Sequence, residues 1–494
     1  MSSVMEAKRA VAQEIPVFQN LISGKWQPAS DARTLDMASP SDGKVFAKIA
    51  RGTAADVDAA VKAARHAFEE GAWGKMTAVE RGRLLAKLGE KILAHQEELA
   101  LLEAQDCGKP LKQARADIVA AARYFEFYGA AADKLHGETI PFLDGYLVTI
   151  LREPKGVTGH IIPWNYPAQM FGRSLAPALA VGNACVIKPA EDACVTPMRI
   201  AQLAQDIGFP PGAFNMVTGI GEEAGAALAA HPGIDFISFT GSPEVGTLVQ
   251  KAAAENHIGC TLELGGKSPQ IIFEDADFDA AVPTVVNAIV QNGGQTCSAG
   301  SRVLVQKSIY DKFVGQVAAR FKQLVVGSHG MDLDCGPMIS ANQKQRVLGF
   351  IERAKKEGVA VIAEARIADG VPAGGFYVAP VLFGPVPRTN SLACDEVFGP
   401  VLSMIPFEDE ADAIRLANAT EFGLVAGVWT RDGARQMRVA KKMRCGQVYV
   451  NGYGAGGGIE LPFGGVKKSG HGREKGLEVL REFTHTKTIV FKHG

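Results

Sequence analysis

Residues 156–189 read GVTGHIIPWNYPAQMFGRSLAPALAVGNACVIKP. Val157–Ile162 is a short β-rich run that ends in the turn Pro163-Trp164-Asn165, and a small-residue helix is predicted from about Gln169 to Leu179. A second unit repeats the grammar: Ala184–Ile187 as strand, Lys188-Pro189 at its end, and a helix over about Pro197–Ile207. Phe214–Val217 and Ile234–Phe239 begin a third and a fourth. Short β-rich runs separated by helices of this length predict a parallel, layered α/β sheet. In such a sheet the active groups are expected to collect beyond the strand C-termini.

On the N-terminal side, Phe18–Ile22, the turn Ser23-Gly24 and Trp26 read as an edge hairpin. Ala54–Phe68, Val79–Ile92 and residues 111–135 have helical spacing. Gly145–Arg152 is strand-like, and so is the tail Thr484–Phe491. A further α/β region runs from Ser268 to about Arg444, with strands expected at Gln270–Phe273, Arg302–Val305, Val359–Ile362, Val401–Ile405 and Ala426–Val428.

The 494 residues suit two or three domains, and 47% apolar against 21% charged residues exclude wholesale disorder. With 52 basic and 53 acidic residues the formal charge is -1, so nothing electrostatic argues for nucleic acid or an anionic membrane as partner. No uninterrupted apolar span of membrane length and no signal-like N-terminus is present, and the eight scattered cysteines suit a reducing compartment. A cytoplasmic protein is expected.

Several short strings carry possible chemistry, each with an ordinary structural reading beside it. Gly219-Ile220-Gly221-Glu222-Glu223-Ala224 matches a loose dinucleotide fingerprint, but a glycine-requiring turn produces the same letters. Phe239-Thr240-Gly241-Ser242-Pro243-Glu244 ends a strand and starts a helix, with Ser242 as cap and Pro243 at N1. Its free N–H groups offer a pyrophosphate site, or merely a well-capped helix. Lys188 and Glu191 can meet a ribose or form a solvated turn. Cys297, in Gly293-Gly294-Gln295-Thr296-Cys297-Ser298, sits among small polar neighbours that permit substrate approach; it is a nucleophile or an ordinary thiol. Glu263, in Glu263-Leu264-Gly265-Gly266-Lys267, is a proton acceptor for water or a surface carboxylate. Asn165 is an oxyanion donor or a turn cap. The acidic cluster around Glu274–Asp279 lacks EF-hand spacing, the histidines form no H-E-x-x-H, and no metal is expected.

Taken together, Pro163-Trp164-Asn165, Lys188-Pro189-Ala190-Glu191, Phe239-Thr240-Gly241-Ser242, Glu263-Leu264-Gly265-Gly266-Lys267, Gly294-Gln295-Thr296-Cys297, Glu396-Val397-Phe398-Gly399-Pro400 and Pro462-Phe463-Gly464-Gly465 resemble, in order and separation, the NAD(P)-dependent aldehyde dehydrogenase superfamily of hydrolytic type. The resemblance covers about Phe18 to Phe491. It implies Cys297 as nucleophile, Glu263 as water-activating base and Asn165 as oxyanion donor. It also implies Lys188 and Glu191 at the adenosine ribose, Ser242 at the pyrophosphate, Glu396 at the nicotinamide ribose and Phe398 near the ring. Pro163, Trp164, Phe239, Gly241 and Leu264 complete the expected cofactor contacts, with Gly221 near the cofactor but without the ordinary fingerprint role.

The implied architecture is an unusual Rossmann-like cofactor domain (residues 1–140 and 156–262), an α/β catalytic domain (263–470) and a small β oligomerisation element (141–155 and 471–494), giving a homodimer or homotetramer. The implied reaction oxidises an aldehyde to its carboxylic acid with NAD, through a cysteine thiohemiacetal and thioester. Glu191 favours NAD by repelling a 2′-phosphate, whereas its rotation would leave Lys188 able to accept NADP.

Substrate selection is expected from Tyr166, Met170, Arg173, Thr296, Ser298, Ile459 and the loop 454–458. If the segment after Asn165 is helical, Arg173 shares a face with Met170 and can clamp a distant carboxylate; alternatively it forms a salt bridge at a domain boundary. A semialdehyde acid or a bulky aromatic aldehyde fits the small neighbours of Cys297 better than acetaldehyde. An NADP-linked semialdehyde dehydrogenase and a catalytically silent binding homologue are the alternatives.

Overall fold

The computed structural model describes residues 15–454 and 458–494. The expected loop 454–458 therefore lies largely outside the described residues.

Val157–Ile162 is the centre of an eight-stranded sheet. Its five parallel strands lie in the order Gly259–Glu263, Phe236–Thr240, Val157–Ile162, Ala184–Pro189 and Phe214–Met216. From Val157–Ile162 the chain first builds toward Phe214–Met216, then crosses to lay Phe236–Thr240 on the opposite side. That reversal opens a crevice beyond the C-terminal ends of the two strands, where the divergence of the following loops leaves room for a ligand. The predicted hairpin forms through Ser23-Gly24, both in left-handed conformation, and closes one edge of the sheet, pairing Leu21 with Trp26.

The second sheet has seven strands in the order Val361–Glu364, Val381–Phe383, Val401–Phe407, Arg302–Gln306, Pro269–Ile272, Val425–Trp429 and Gln447–Val450, all parallel except the first. Gly259–Glu263, Val381–Phe383 and Gln447–Val450 are absent from the sequence-based expectation: the first is opened by glycine and a half-polar stretch, the second is only three residues long, and the third is polar at alternate positions, so none shows the sustained apolar run of a buried strand.

Five residues join the end of Gly259–Glu263 to the start of Pro269–Ile272, so the C-terminal edge of the first sheet is tied closely to the N-terminal edge of the second. This corrects one expectation. The groups from the first sheet do lie beyond strand C-termini, but Cys297 lies between helix Phe278–Val290 and strand Arg302–Gln306, at the N-terminal side of its own sheet.

Tyr146–Pro154 and Thr484–Lys492 pair antiparallel along nine residues, with Glu138–Ile140 beside them, as a separate three-stranded sheet. The chain also returns to the first body near its C-terminal end. Ile459, Val479, Leu480 and Phe483 belong to the core of the first sheet, and Gly470–His471 pairs with Leu262-Glu263.

Candidate active site

A cleft of about 1080 Å³ lies between the sheets and is lined by Asn165, Glu263 and Cys297 together. Asn165 follows the central strand, at the entry to helix Pro167–Ala180, which Pro167 opens at N1. Its side-chain amide donates to the Gln295 carbonyl (3.0 Å), so it is braced directly against the Cys297 loop. Asn292 and Gly293, both with positive φ, turn the chain off the preceding helix, and the loop is then fastened on either side of the cysteine. Tyr166 Oη and Thr296 Oγ1 are 2.8 Å apart, and Tyr453 Oη donates to the Ser298 carbonyl at 2.6 Å. Two glycines allow the strand-to-strand link to pass: a Cβ on Gly266 would lie 2.5 Å from the Cys297 carbonyl oxygen, and one on Gly265 would lie 2.2 Å from Glu396 Oε2.

The half-buried Cys297 thiol is pushed up to about 11 by its enclosure, with Glu263 adding to the effect and Arg173 opposing it. Glu263, the last residue of its strand, is 2% exposed, and neither carboxylate oxygen makes a hydrogen bond among the described residues. Burial and the nearby Glu474 hold it well above the usual carboxylate range, while Arg173 pulls in the other direction. A carboxylate with uncommitted lone pairs and a raised proton affinity is suited to take a proton from water.

Two charged groups that the sequence reading missed complete this neighbourhood. Glu474 is in ion-pair contact with Arg173, and Lys475, pushed down to about 7 by burial and by Arg173, also lines the cleft. The charge run Arg473-Glu474-Lys475 just after Gly470–His471 is a local signal, but only the return of the chain onto Leu262-Glu263 brings it to the site.

Lys109 was likewise invisible in pattern. It sits in the linker Gly108-Lys109-Pro110 between helices Gln96–Cys107 and Leu111–Ala131 and is 1% exposed. Its Nζ donates to Asp117 (2.6 Å), Glu103 (3.3 Å) and the backbone carbonyl of Asn165 (3.0 Å), and lies 4.4 Å from the centre of the Tyr166 ring. Burial alone would discharge this ammonium, but Asp117 and Glu103 keep it charged, above the ordinary lysine range. Asn292 Nδ2 donates to the same Asn165 carbonyl at 2.9 Å. Lys109→Met leaves two buried carboxylates uncompensated and is expected to cost about 3–5 kcal/mol of stability. Adding Asp117→Asn should recover part of that loss in denaturant unfolding.

The cleft extends from Cys297 past Trp164, Leu264, Gly265, Glu396 and Phe398 to Gly241, Ser242 and Pro243. Ser242 caps the helix Pro243–Glu255, accepting from the Val245 N–H, so the positive end of a 13-residue helix opens into the cleft. Glu396 accepts from the Gly266 N–H (2.8 Å), and its carboxyl is raised to about 7 by burial. Phe398 has a positive φ and packs edge-on to Trp164, with centroids 5.4 Å apart; helix Ala341–Lys356 holds its carbonyl through Gln343 (2.7 Å). An elongated cleft with a helix N-terminus at one end, ribose-sized hydrogen-bonding groups along it and a thiol at the other fits a dinucleotide.

Pro163 also lines the cleft, but Lys188, Glu191, Gly221 and Phe239 do not. The first three form a cluster of their own at adjacent strand ends: Lys188 Nζ meets Glu191 at 2.5 Å, and the Gly221 N–H donates to Glu191 at 3.0 Å. Phe239 is buried, with its ring tip lying where a Cβ on Gly241 would stand.

Of the expected substrate-facing residues, Tyr166, Met170, Arg173, Thr296 and Ser298 line the cleft; Met170 and Arg173 share a helix face as their spacing predicts. Ile459 does not line it, being buried in the core of the first sheet, because the chain has already returned to that sheet. Tyr449, Tyr453 and Phe463 form additional aromatic wall.

The aldehyde dehydrogenase family model matches residues 26–489. The chain is 59% identical to a protein from Burkholderia cenocepacia whose crystal structure was assigned as an aldehyde dehydrogenase, with a TM-score of 0.95 over 96% of this chain and 100% of that one. It is 39% identical to the aldehyde dehydrogenase of Bacillus cereus in its NAD+ complex, with a TM-score of 0.94 over 97% of each chain. It is 41% identical to retinal dehydrogenase 2 of Homo sapiens, over 97% of this chain and 92% of that protein. Sequence and fold agree along nearly the whole length, and the chain is an enzyme of the aldehyde dehydrogenase family.

Proposed function

We propose that this enzyme oxidises bulky, uncharged aromatic aldehydes to their carboxylates, with NAD as oxidant, through a thioester on Cys297. The observation that carries the reading is the meeting of Cys297, Asn165 and Glu263 in one cleft with Tyr166, Tyr449, Tyr453 and Phe463 as its aromatic wall. Aromatic side chains of this kind favour a flat apolar substrate through area burial and edge or face contacts. A semialdehyde acid is less well served, because Arg173 is already in ion-pair contact with Glu474 and lies 3.6 Å from Glu263.

Cys297 Sγ loses its proton to solvent, and the thiolate attacks the aldehyde carbon. The carbonyl oxygen becomes an alkoxide that takes hydrogen bonds from Asn165 Nδ2 and the Cys297 N–H. NAD held along the cleft by Ser242, Glu396 and Phe398 would supply the hydride acceptor needed to oxidise the thiohemiacetal to the thioester. Glu263 then takes a proton from water as its oxygen attacks the thioester carbon; the carbon–sulfur bond breaks, releasing the carboxylate and restoring Cys297.

NAD is favoured over NADP because Glu191 is anchored by both Lys188 and the Gly221 N–H, so rotating it away from a 2′-phosphate forfeits two contacts. Self-association as a dimer or dimer of dimers fits the three-stranded sheet, where Leu147 and Phe491 are 46% and 49% exposed. The free state of all eight cysteines suits the cytoplasm.

Initial rates of reduced-cofactor formation test the reading. A benzaldehyde-type substrate is expected to exceed both acetaldehyde and a carboxylate-bearing semialdehyde by about tenfold or more in kcat/KM. NAD is expected to exceed NADP by a similar margin. The reverse order with either set would refute that part of the proposal.

A further inference from the structure

Arg173 projects from helix Pro167–Ala180 and is only 7% exposed. Its Nε is in ion-pair contact with Glu474, its Nη2 lies 3.6 Å from Glu263 Oε2, and its guanidinium carbon is 4.5 Å from the centre of the Phe463 ring. Glu474 and Phe463 are locked together by reciprocal backbone hydrogen bonds, each 2.7 Å, and Ser238 Oγ donates to Glu474 Oε1 at 3.4 Å. The guanidinium is thus held on one face by a ring and along its edge by one fixed carboxylate. The second carboxylate, Glu263, has no hydrogen bond among the described residues and leans on Arg173 by charge alone. Gly464 leaves the space that Glu263 occupies, since a Cβ there would stand 2.7 Å from Oε1.

We propose that Arg173 is a positioning residue for the hydrolytic step: it favours the ionised form of Glu263 against the opposing Glu474 and holds the carboxylate in place, and does not serve as an anchor for the substrate. The inference rests on Glu263 acting as the water-activating base. The groups facing Glu263 are Glu474, Arg173, Arg473, Lys475 and, across the cleft, Cys297. Arg473 is turned toward the Gly465 and Gly472 carbonyls, 3.1 and 2.6 Å from its Nη1, and Lys475 packs 5.1 Å from the Phe463 ring centre. Arg173 is within ion-pair distance of both carboxylates. Without its charge, two buried carboxylates face each other and one takes a proton, because like charges in a shared site cannot both remain ionised. A protonated Glu263 cannot accept a proton from water. The first half of the reaction, up to the thioester, does not need that acceptance and should survive.

The experiment compares the parent, Arg173→Gln, Arg173→Lys and Glu474→Gln as full-length proteins. The readouts are the pre-steady-state burst of NADH and the pH dependence of kcat, with a neutral aromatic aldehyde and a carboxylate-bearing one. R173Q is expected to keep the burst, to lose about tenfold or more in kcat at neutral pH, and to shift the rising limb of the kcat profile by about one unit toward alkaline pH, equally with both aldehydes. R173K keeps the charge and should lie near the parent. E474Q removes the competing carboxylate and should shift the limb toward acid, which keeps the inference testable if R173Q does not fold. A profile that stays in place in R173Q and E474Q overturns the proposal. So does a rise in KM confined to the carboxylate-bearing aldehyde, which would make Arg173 a substrate clamp. A parent that forms no NADH from any aldehyde instead overturns the oxidation reading itself, and this inference with it.

Discussion

Cys297→Ala is expected to give a folded enzyme whose NADH formation falls by on the order of 10⁴–10⁶-fold with every aldehyde. The loss is so large because the sulfur is the atom that bonds to the substrate carbon: without it no thiohemiacetal forms, and the alkoxide-stabilising groups have nothing to stabilise. The fold should survive because the loop is fastened by its neighbours and not by the thiol. Tyr166 holds Thr296, Tyr453 holds the Ser298 carbonyl, and Asn165 holds the Gln295 carbonyl. Thermal unfolding close to that of the parent, together with absent turnover, is the outcome to look for; residual turnover within tenfold of the parent would remove Cys297 from the mechanism. The same burial has a pH consequence. With the thiol pushed up to about 11, the reactive thiolate is scarce at neutral pH, so alkylation of Cys297 in the cofactor-free parent should keep rising as pH climbs toward that value.

Glu263→Gln separates the two halves of the reaction. The amide has the shape of the carboxylate but cannot take the proton of the attacking water, so kcat is expected to fall by about 10²–10⁴-fold. Acylation and hydride transfer remain, so a burst of about one NADH per active site should persist and the acyl-enzyme should accumulate to a mass that can be measured. Stability should not fall with activity. Glu263 is buried without a hydrogen bond among the described residues, and a neutral side chain at that place avoids the cost of a desolvated charge opposite Glu474. A thermal midpoint equal to or above the parent's, with turnover lost after the burst, is the expected signature. Loss of the burst together with turnover would mean that Glu263 is needed before the thioester and not after it.

The difference between what was legible and what was not follows the range of the interactions. The alternation of strand, turn and helix from Val157 to Phe239 is a local pattern of apolar and breaker residues, and the structure reproduces it nearly element for element. Gly259–Glu263 escaped because its residues are not a uniform apolar run; it is a strand because Phe236–Thr240 supplies a parallel partner along its whole length. Lys109 reads locally as a solvated linker residue, and only the packing of two helices against the Asn165 turn makes it a buried, charged support.

Arg173 shows the same division within one side chain. Its place on the cleft-facing side of a helix beside Met170 follows from spacing, but its partner does not, because Glu474 arrives from the far end of the chain. Ile459 errs for the same reason: its residue type suits an apolar pocket wall, yet the returning chain buries it in the first core. The residue types that can attack, donate and accept, and the periodicity of the strands and helices carrying them, are covalent and local properties, and they were present in the chain as written. Which buried charges face one another, which carboxylate is left without a hydrogen bond, and where the cleft ends depend on contacts between distant segments, whose energies exist only once water has been excluded between them.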